Sequence, residues 1–192
     1  TAAQVFHVDP ADVTHEMRRR AKAVNFGIVY GISAFSLSQD IGVTVAEAKA
    51  YMEAYFATFP GVRKYMDDVV ARAKEQGYVE TLFLRRRELP EIRSSNFNLR
   101  SFGERVALNM PIQGTAADIM KLAMVAVERR LKEELPSAKL VLQVHDELLL
   151  EASTEELDAV EQILSEEMEG AAELSVPLEI DMKQGKNWYE AH

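Results

Sequence analysis

Apolar residues recur at three- and four-residue intervals through the first part of the chain, a pattern typical of helices with one buried face. Proline and glycine interrupt the pattern at Pro10, Gly31, Gly42 and Pro60–Gly61, and such residues commonly mark helix ends. We therefore predict helices over residues 2–6, 14–30, 33–40, 45–57 and 61–76.

The second part of the chain has a mixed pattern. Tyr78 to Arg87 predicts a short hairpin, and Leu99 to about Leu135 predicts a long helix, interrupted or kinked at Pro111, which cannot donate a backbone hydrogen bond. Beyond it we predict a hairpin over 139–152, a helix over 154–172 and a strand over 176–182. The apolar runs Leu140–Val144 and Leu148–Leu150 are expected to be largely buried.

Composition excludes some classes of protein. The 192 residues include no cysteine, which excludes disulfides and cysteine–zinc sites and fits a cytoplasmic protein. No apolar run approaches the ~20 residues of a membrane span. The net charge of −9 is unevenly spread: residues 1–132 carry 19 basic and 15 acidic residues, and residues 133–192 carry 3 and 16. Since local fields steer a polyanion, the first part can still bind one, and we expect the acidic helix after Glu147 to face solvent away from it.

One helix carries a distinctive stripe. Arg18, Lys22, Phe26 and Tyr30 stand four apart, so on a helix they project from one face roughly 120° wide. Cations near a helix N-terminus oppose the macrodipole, whereas a bound anion is favoured there. The two cations of the stripe could bind a triphosphate, and its two rings could pack against a base and sugar. The alternative is a solvated basic face whose two rings belong to the core.

The second candidate lies at the tip of the predicted 139–152 hairpin. His145, Asp146 and Glu147 stand between two apolar runs, which places carboxylates on a rigid turn. Mg²⁺ takes oxygen ligands of this kind. The alternative is an ordinary acidic turn with a structural role only.

Three segments together resemble the family A DNA polymerases of the bacterial DNA polymerase I type. They are RRRAKAVNFGIVYG, ERVALNMPIQGTAAD and QVHDELLLE, in that order, and the resemblance extends from Thr1 to His192. It implies an α+β fold: a helical fingers subdomain plus part of the antiparallel-sheet palm of a right-hand polymerase. Residues 1–98 would be mainly fingers, with the nucleotide-binding helix at 14–30, and residues 99–192 mainly palm, with the catalytic hairpin at 139–152.

The resemblance implies template-directed DNA synthesis, in which deoxynucleotides join a primer 3′ end by two-metal nucleotidyl transfer. Asp146 and Glu147 would be catalytic carboxylates at the Mg²⁺ ions, with Asp146 the direct ligand. Arg18 and Lys22 would bind the triphosphate, and Lys22 would also donate a proton to pyrophosphate.

The resemblance also assigns contacts to the nucleotide and the DNA. Phe26 would pack against the incoming sugar and base, and Tyr30 would cap the stacking position near the templating base. Arg105, Asn109 and Gln113, again four apart, would donate to the minor-groove acceptors that every base pair presents. His145 would contact the primer end.

Two departures from the family pattern stand out. Leu84 occupies a turn position where family members usually carry glycine, which puts the 78–87 hairpin geometry in doubt, since leucine disfavours positive φ. No segment resembles the upstream DYSQIELR-like motif, which carries the other metal-binding aspartate. We therefore expect a piece of a larger polymerase, inactive alone.

The expected partners are primer-template DNA, deoxynucleoside triphosphates and the upstream part of the same polymerase (thumb and remaining palm), with no membrane. The expected location is the bacterial cytoplasm, at the nucleoid. Two alternatives remain open: a single-subunit RNA polymerase, which would more typically carry HDS in place of His145–Asp146–Glu147 and lack Phe26, and a non-catalytic DNA-binding remnant.

Overall fold

The computed structural model describes residues 2–6 and 8–191. Along the chain, helices precede and follow two short hairpins, so the predicted α+β class is confirmed. The helices are α1 (Ala2–Phe6), α2 (His15–Val29), α3 (Ala34–Ile41), α4 (Val45–Thr58), α5 (Pro60–Gln76), α6 (Phe97–Glu134), α7 (Leu157–Glu169) and α8 (Trp188–Ala191). The strands are β1 (Tyr78–Glu80), β2 (Arg86–Glu88), β3 (Lys139–Val144) and β4 (Glu147–Glu151). Short 3₁₀ turns at Pro10–Asp12 and Pro90–Arg93 were not predicted.

Local capping explains why the early helices begin where the sequence predicts. The Thr14 hydroxyl accepts from the Met17 amide at 3.2 Å, and the Ser33 hydroxyl accepts from the Ser36 amide at 3.1 Å. Thr44 and Glu47 form a complete capping box at the start of α4. Each cap satisfies amides that the first helical turn leaves without partners, which fixes the boundary locally.

The chain divides into two compact units, Thr1–Ile112 and Gln113–His192. The first unit has one apolar cluster among α2, α3 and α4, and a second cluster that α5, β1 and the first turns of α6 share. The buried members are Val24, Ile28, Leu37, Ile41, Ala48 and Tyr55 in the first cluster, and Val69, Ala73, Val79, Leu89, Ile92 and Ala107 in the second.

The second unit packs the end of α6 against α7 and one face of the β3–β4 hairpin. Its buried residues are Val127, Leu131, Ala138, Val160 and Ile163. Arg130 binds Glu134, Glu166 and Glu167. The acidic face of α7 is thus partly neutralised within its own unit.

Two predictions about the second half of the chain are wrong, and a third is wrong in part. Helix α6 continues through Pro111 without the predicted interruption, and the alternative of a kink there stays a prediction. Residues 176–182 form no strand, and no described strand pairs with them. The hairpin apolar runs are not largely buried: Val141 is 54% exposed and Leu142 40%. Both β errors have one cause, because β3 and β4 pair only with each other among the described residues, and a two-stranded ribbon covers little of its own surface.

The β1–β2 hairpin forms as predicted, although Leu84 replaces the usual glycine. Thr81 and Arg85 pair across a three-residue loop, with the Thr81 amide donating to the Arg85 carbonyl at 3.1 Å. Leu84 adopts φ = 62°, the left-handed position that such loops place after a type I turn and that glycine usually fills. Leucine is therefore strained there, and the hairpin tolerates the strain.

Candidate functional site

The stripe on α2 faces outward. Arg18 and Lys22 are exposed, and the rings of Phe26 and Tyr30 are 48% and 42% exposed. The opposite face of the helix is buried and includes Ala21, Val24, Gly27 and Ile28. The alternative that places the two rings in the core is therefore wrong.

The exposed side chains form one continuous surface. The rings of Phe26 and Tyr30 lie 6.4 Å apart with an interplanar angle of 16°. Lys22 Nζ lies 5.7 Å from the Phe26 ring centroid, within the range of a cation–π contact. The helix thus presents cation, ring and ring in sequence, which suits a ligand with an anionic end and a planar end.

The basic residues of α2 fall into two groups. Arg19 and Arg20 both bind Glu16 at 2.8 Å, and hydrogen bonds from these two guanidinium groups lower the pKa of the Glu16 carboxyl to about 2. No carboxylate in the described part of the chain pairs with Arg18 or Lys22. The two predicted phosphate ligands are therefore the two cations left available for an external anion.

Helix α2 ends against the first part of α6. Gly31 follows the C-cap residue Tyr30 with φ = 71°, and a Cβ on Gly31 would lie 3.2 Å from Arg105 Cγ. Gly31 and Arg105 also line a cleft of about 420 Å³ with Met66, Lys74 and Glu104 among its other residues. The predicted DNA ligand Arg105 thus lies beside the end of the predicted nucleotide helix, within the first unit.

The other two members of the predicted minor-groove set differ in setting. Asn109 is half-buried, and its Oδ1 is buried without a hydrogen-bond partner among the described residues. A buried amide oxygen of this kind carries a desolvation cost that an external donor could offset. Gln113 is exposed and belongs to the second unit.

The tip of the β3–β4 hairpin carries the acidic triplet. Val144 pairs with Glu147, so His145 and Asp146 form a two-residue loop, and all three residues of the triplet are exposed. His145 adopts φ = 52°, as the first loop position of the tight hairpin turns requires, and its carbonyl accepts from Gln143 Nε2 at 2.6 Å. The tip was predicted from the sequence and this backbone strain was not, although a two-residue loop by itself indicates it.

The donor chemistry of the tip suits a hard cation only in part. Asp146 and Glu147 offer carboxylate oxygens, which Mg²⁺ prefers. Within residues 2–6 and 8–191, however, no three His, Asp or Glu side chains come together in a group able to hold a metal. The tip can therefore supply part of a ligand set.

One polar contact behind the stripe was not predicted. The hydroxyl of Tyr55, a residue only 4% exposed, donates to Asn25 Oδ1 at 2.7 Å. Burial raises the pKa of the Tyr55 hydroxyl. The two residues are 30 positions apart, and the apolar pattern of α4 gives no signal for the pairing.

No helix in the described ranges combines the length and apolar character that crossing a membrane requires.

Comparison with known proteins decides the family. The sequence profile of DNA polymerase family A matches residues 1–190. The chain belongs to DNA polymerase family A. It is 56% identical over 191 residues to DNA polymerase I of Geobacillus stearothermophilus and 54% identical to that of Bacillus subtilis strain 168. In each case the match covers the whole chain and 22% of the relative.

A solved structure extends the likeness to the fold of this polymerase segment. The POL domain of Pol1 from M. smegmatis, in complex with DNA primer-template and dNTP, matches with a TM-score of 0.95 and 47% identity, over 99% of this chain and 34% of that one. The family resemblance inferred from the three segments is thereby confirmed. The division into fingers over 1–98 and palm over 99–192, and the roles of individual site residues, stay predictions.

Proposed function

We propose that this chain is the part of a DNA polymerase that binds the incoming deoxynucleoside triphosphate and contributes catalytic carboxylates to template-directed DNA synthesis. The observation that carries the proposal is the exposed face of α2. Its two cations, which pair with no carboxylate among the described residues, and its two near-parallel rings match the two ends of a nucleoside triphosphate. Family membership and the likeness to a polymerase complex with primer-template and dNTP support the same conclusion.

Arg18 and Lys22 hold the triphosphate in this proposal. Both are exposed cations with no internal carboxylate to displace, so phosphate binding breaks no ion pair within the described chain. Charge-assisted hydrogen bonds to phosphate are about twice as strong as neutral ones. Lys22 also donates a proton to the departing pyrophosphate, a role that suits lysine because its pKa responds readily to its surroundings.

The two rings order the rest of the nucleotide. Phe26 packs against the incoming sugar and base, and Tyr30 caps the stacking position next to the templating base. Their near-parallel arrangement presents an apolar surface to planar groups, and stacking of a base on an aromatic ring is worth roughly 1–3 kcal/mol.

The DNA contacts in the proposal are independent of sequence. Arg105, Asn109 and Gln113 donate to the acceptors that every base pair presents in the minor groove, and His145 contacts the primer terminus. Arg105 and Gln113 are exposed and Asn109 is half-buried; Asn109 would donate through its amide nitrogen.

Asp146 and Glu147 would hold divalent metal, for which Mg²⁺ is the natural choice given all-oxygen donors. When bound, two such ions stabilise the attacking 3′-oxygen and the leaving pyrophosphate. The two carboxylates at this tip are too few for two ions, so the remaining ligands come from the upstream part of the same polymerase.

The match to a DNA polymerase family favours DNA over RNA synthesis. The other alternative, a non-catalytic DNA-binding remnant, predicts that the α2 stripe has no role in nucleotide incorporation. A comparison of neighbouring cations on α2 separates the two functions.

The test uses the polymerase that contains this chain. Arg18→Ala is expected to weaken triphosphate binding, with a loss of binding free energy of roughly 1.5–3 kcal/mol. Lys22→Ala is expected to slow single-turnover incorporation, with a rise in activation free energy of roughly the same 1.5–3 kcal/mol. Arg19→Ala is the matched control, because Arg19 lies on the same helix but its guanidinium binds Glu16.

Equal effects of Arg18→Ala, Lys22→Ala and Arg19→Ala would contradict the assignment of the stripe. The assignment would also be contradicted if Arg18→Ala and Lys22→Ala lowered folding stability while the folded fraction kept unchanged incorporation kinetics.

A further inference from the structure

The rotational setting of α2 decides where its stripe points. With each residue advancing about 100° around a helix, the buried residues Ala21, Val24 and Ile28 define one side of α2. The stripe lies on the other side. The buried residues pack α2 against α3 and α4, and directional hydrogen bonds can further restrict its angle.

Two tyrosines on α4 provide such bonds. The Tyr55 hydroxyl donates to Asn25 Oδ1 at 2.7 Å, and Arg20 donates to the Tyr51 hydroxyl at 3.4 Å. On a helical projection, Asn25 and Arg20 lie about 70° to either side of the buried face of α2. The two hydrogen bonds therefore reach opposite flanks of one helix from a single neighbouring helix.

The two bonds are not equal. The Tyr55–Asn25 bond is short, and Tyr55 is 4% exposed, so water competes little for it. The Arg20–Tyr51 bond is long, and Arg20 also binds Glu16. Asn25 directly precedes Phe26 in the sequence and stands three residues after Lys22, so its side chain fixes the turn of helix that carries both.

We infer that Tyr55, through its hydrogen bond to Asn25, is a positioning residue that holds α2 at the angle at which Lys22 and Phe26 meet the nucleotide. This inference rests on the proposed function. Tyr55 itself touches no substrate in this arrangement. Its loss removes the shorter of the two hydrogen bonds that restrict the angle of α2, so the cation and the ring shift away from the two ends of the nucleotide.

The first test is Tyr55→Phe in the complete polymerase, which removes one oxygen and keeps the ring in the core. We expect the dissociation constant for the incoming nucleotide in single-turnover incorporation to rise about tenfold, with primer-template affinity unchanged. Tyr65→Phe is the matched control, because Tyr65 is 42% exposed and no described group forms a hydrogen bond with its hydroxyl. Equal nucleotide affinity in the two variants overturns the inference.

A double variant separates positioning from simple stability. Tyr55→Phe combined with Asn25→Leu removes both polar partners, which restores stability because no buried polar group is left unpaired. We expect its unfolding midpoint to recover towards that of the unsubstituted protein while nucleotide affinity stays low. Recovery of both together would show that the bond only stabilises the fold and would overturn the inference.

The unsubstituted polymerase distinguishes failure of the proposed function from failure of the positioning role of Tyr55. If it performs no templated synthesis, the proposed function fails. If it does and Tyr55→Phe binds nucleotide normally, only the positioning role fails.

Discussion

The two hairpins of this chain both contain a strained loop residue, but their loops carry different side chains. Each turns through a non-glycine residue with positive φ: Leu84 at 62° in the β1–β2 hairpin and His145 at 52° in the β3–β4 hairpin. The first loop is apolar and highly exposed, with Leu82 70% and Leu84 74% exposed. The second carries the triplet His145, Asp146 and Glu147.

Under the proposed function, backbone strain alone does not identify a functional residue. Strain at a functional site is maintained because the side chain is needed there, which fits His145 beside the proposed catalytic carboxylate. At Leu84 the side chain is 74% exposed, and no contact among the described residues explains the choice of leucine over glycine. Substitutions in the two loops can therefore test whether a strained residue is needed for nucleotide incorporation.

The largest expected effect is at Asp146. In the complete polymerase, Asp146→Ala should abolish nucleotide incorporation, because this carboxylate is the proposed metal ligand, while primer-template affinity should fall little. Single-turnover incorporation and DNA-binding titrations measure the two effects. Leu82→Ala, at the exposed tip of the other hairpin, is the control and should leave both unchanged.

Incorporation by Asp146→Ala near the unsubstituted rate in Mg²⁺ would show that the metal ligand is misassigned. The purified 192-residue chain should also perform no templated synthesis by itself, since Asp146 and Glu147 cannot hold two metal ions. Robust primer extension by that chain would contradict the same assignment.

Much of this molecule could be predicted from sequence because the signals are local. The starts of α2, α3 and α4 depend on Thr14, Ser33 and Thr44, each of which caps its helix within three residues. The spacing of Arg18, Lys22, Phe26 and Tyr30 predicts that they share one face of the helix, and the structure shows that this face is exposed.

The errors concern features that depend on distant partners. A strand over 176–182 needs another strand to pair with, and burial of Val141 and Leu142 needs a layer on both faces of the hairpin; the described residues supply neither. The Tyr55–Asn25 bond joins two helices across 30 positions, so no local pattern could indicate it. The pairing of Glu16 with Arg19 and Arg20 is different, because residues three and four apart are neighbours on a helix and Arg18, two positions away, is not.

The intermediate effect compares glycine at the two strained positions. Leu84→Gly and His145→Gly should each stabilise the fold by about 1 kcal/mol, because glycine adopts positive φ without the steric cost that a side chain carries. Denaturant unfolding of the chain measures this gain. In the complete polymerase, only His145→Gly should slow incorporation, because only that side chain is proposed to contact the primer end.

If His145→Gly incorporated nucleotide as fast as Leu84→Gly, the proposed contact between His145 and the primer end would be wrong. Loss of stability in Leu84→Gly would instead show that the exposed leucine makes a contribution that its contacts do not explain.

The smallest expected effect is a difference in acid sensitivity between the surroundings of the two hairpins. Near the β3–β4 hairpin, a hydrogen bond from Arg130 lowers the pKa of the Glu134 carboxyl, and hydrogen bonds from Gln162 and Arg130 lower the pKa of the Glu166 carboxyl. The β1–β2 hairpin has an ion pair of its own, Arg86 with Glu80 at 2.8 Å, and beside it Arg93 donates to the Lys74 and Glu75 carbonyls, which do not titrate.

A carboxylate whose pKa is lower in the folded state stabilises that state above its unfolded pKa, near 4.5, and loses this contribution as the pH falls through the lower folded value. Hydrogen-exchange protection of β4 and α7 should therefore decline between pH 5 and the acid range more than protection of β1 and β2. Arg130→Met should lower the hydrogen-exchange protection of α7 at pH 6. It should also reduce the additional decrease in protection on acidification, because protonation of the carboxylates then breaks no ion pair with Arg130. Parallel loss of protection at both hairpins, unaltered by Arg130→Met, would show that the acid response is global and does not arise from the Arg130 cluster.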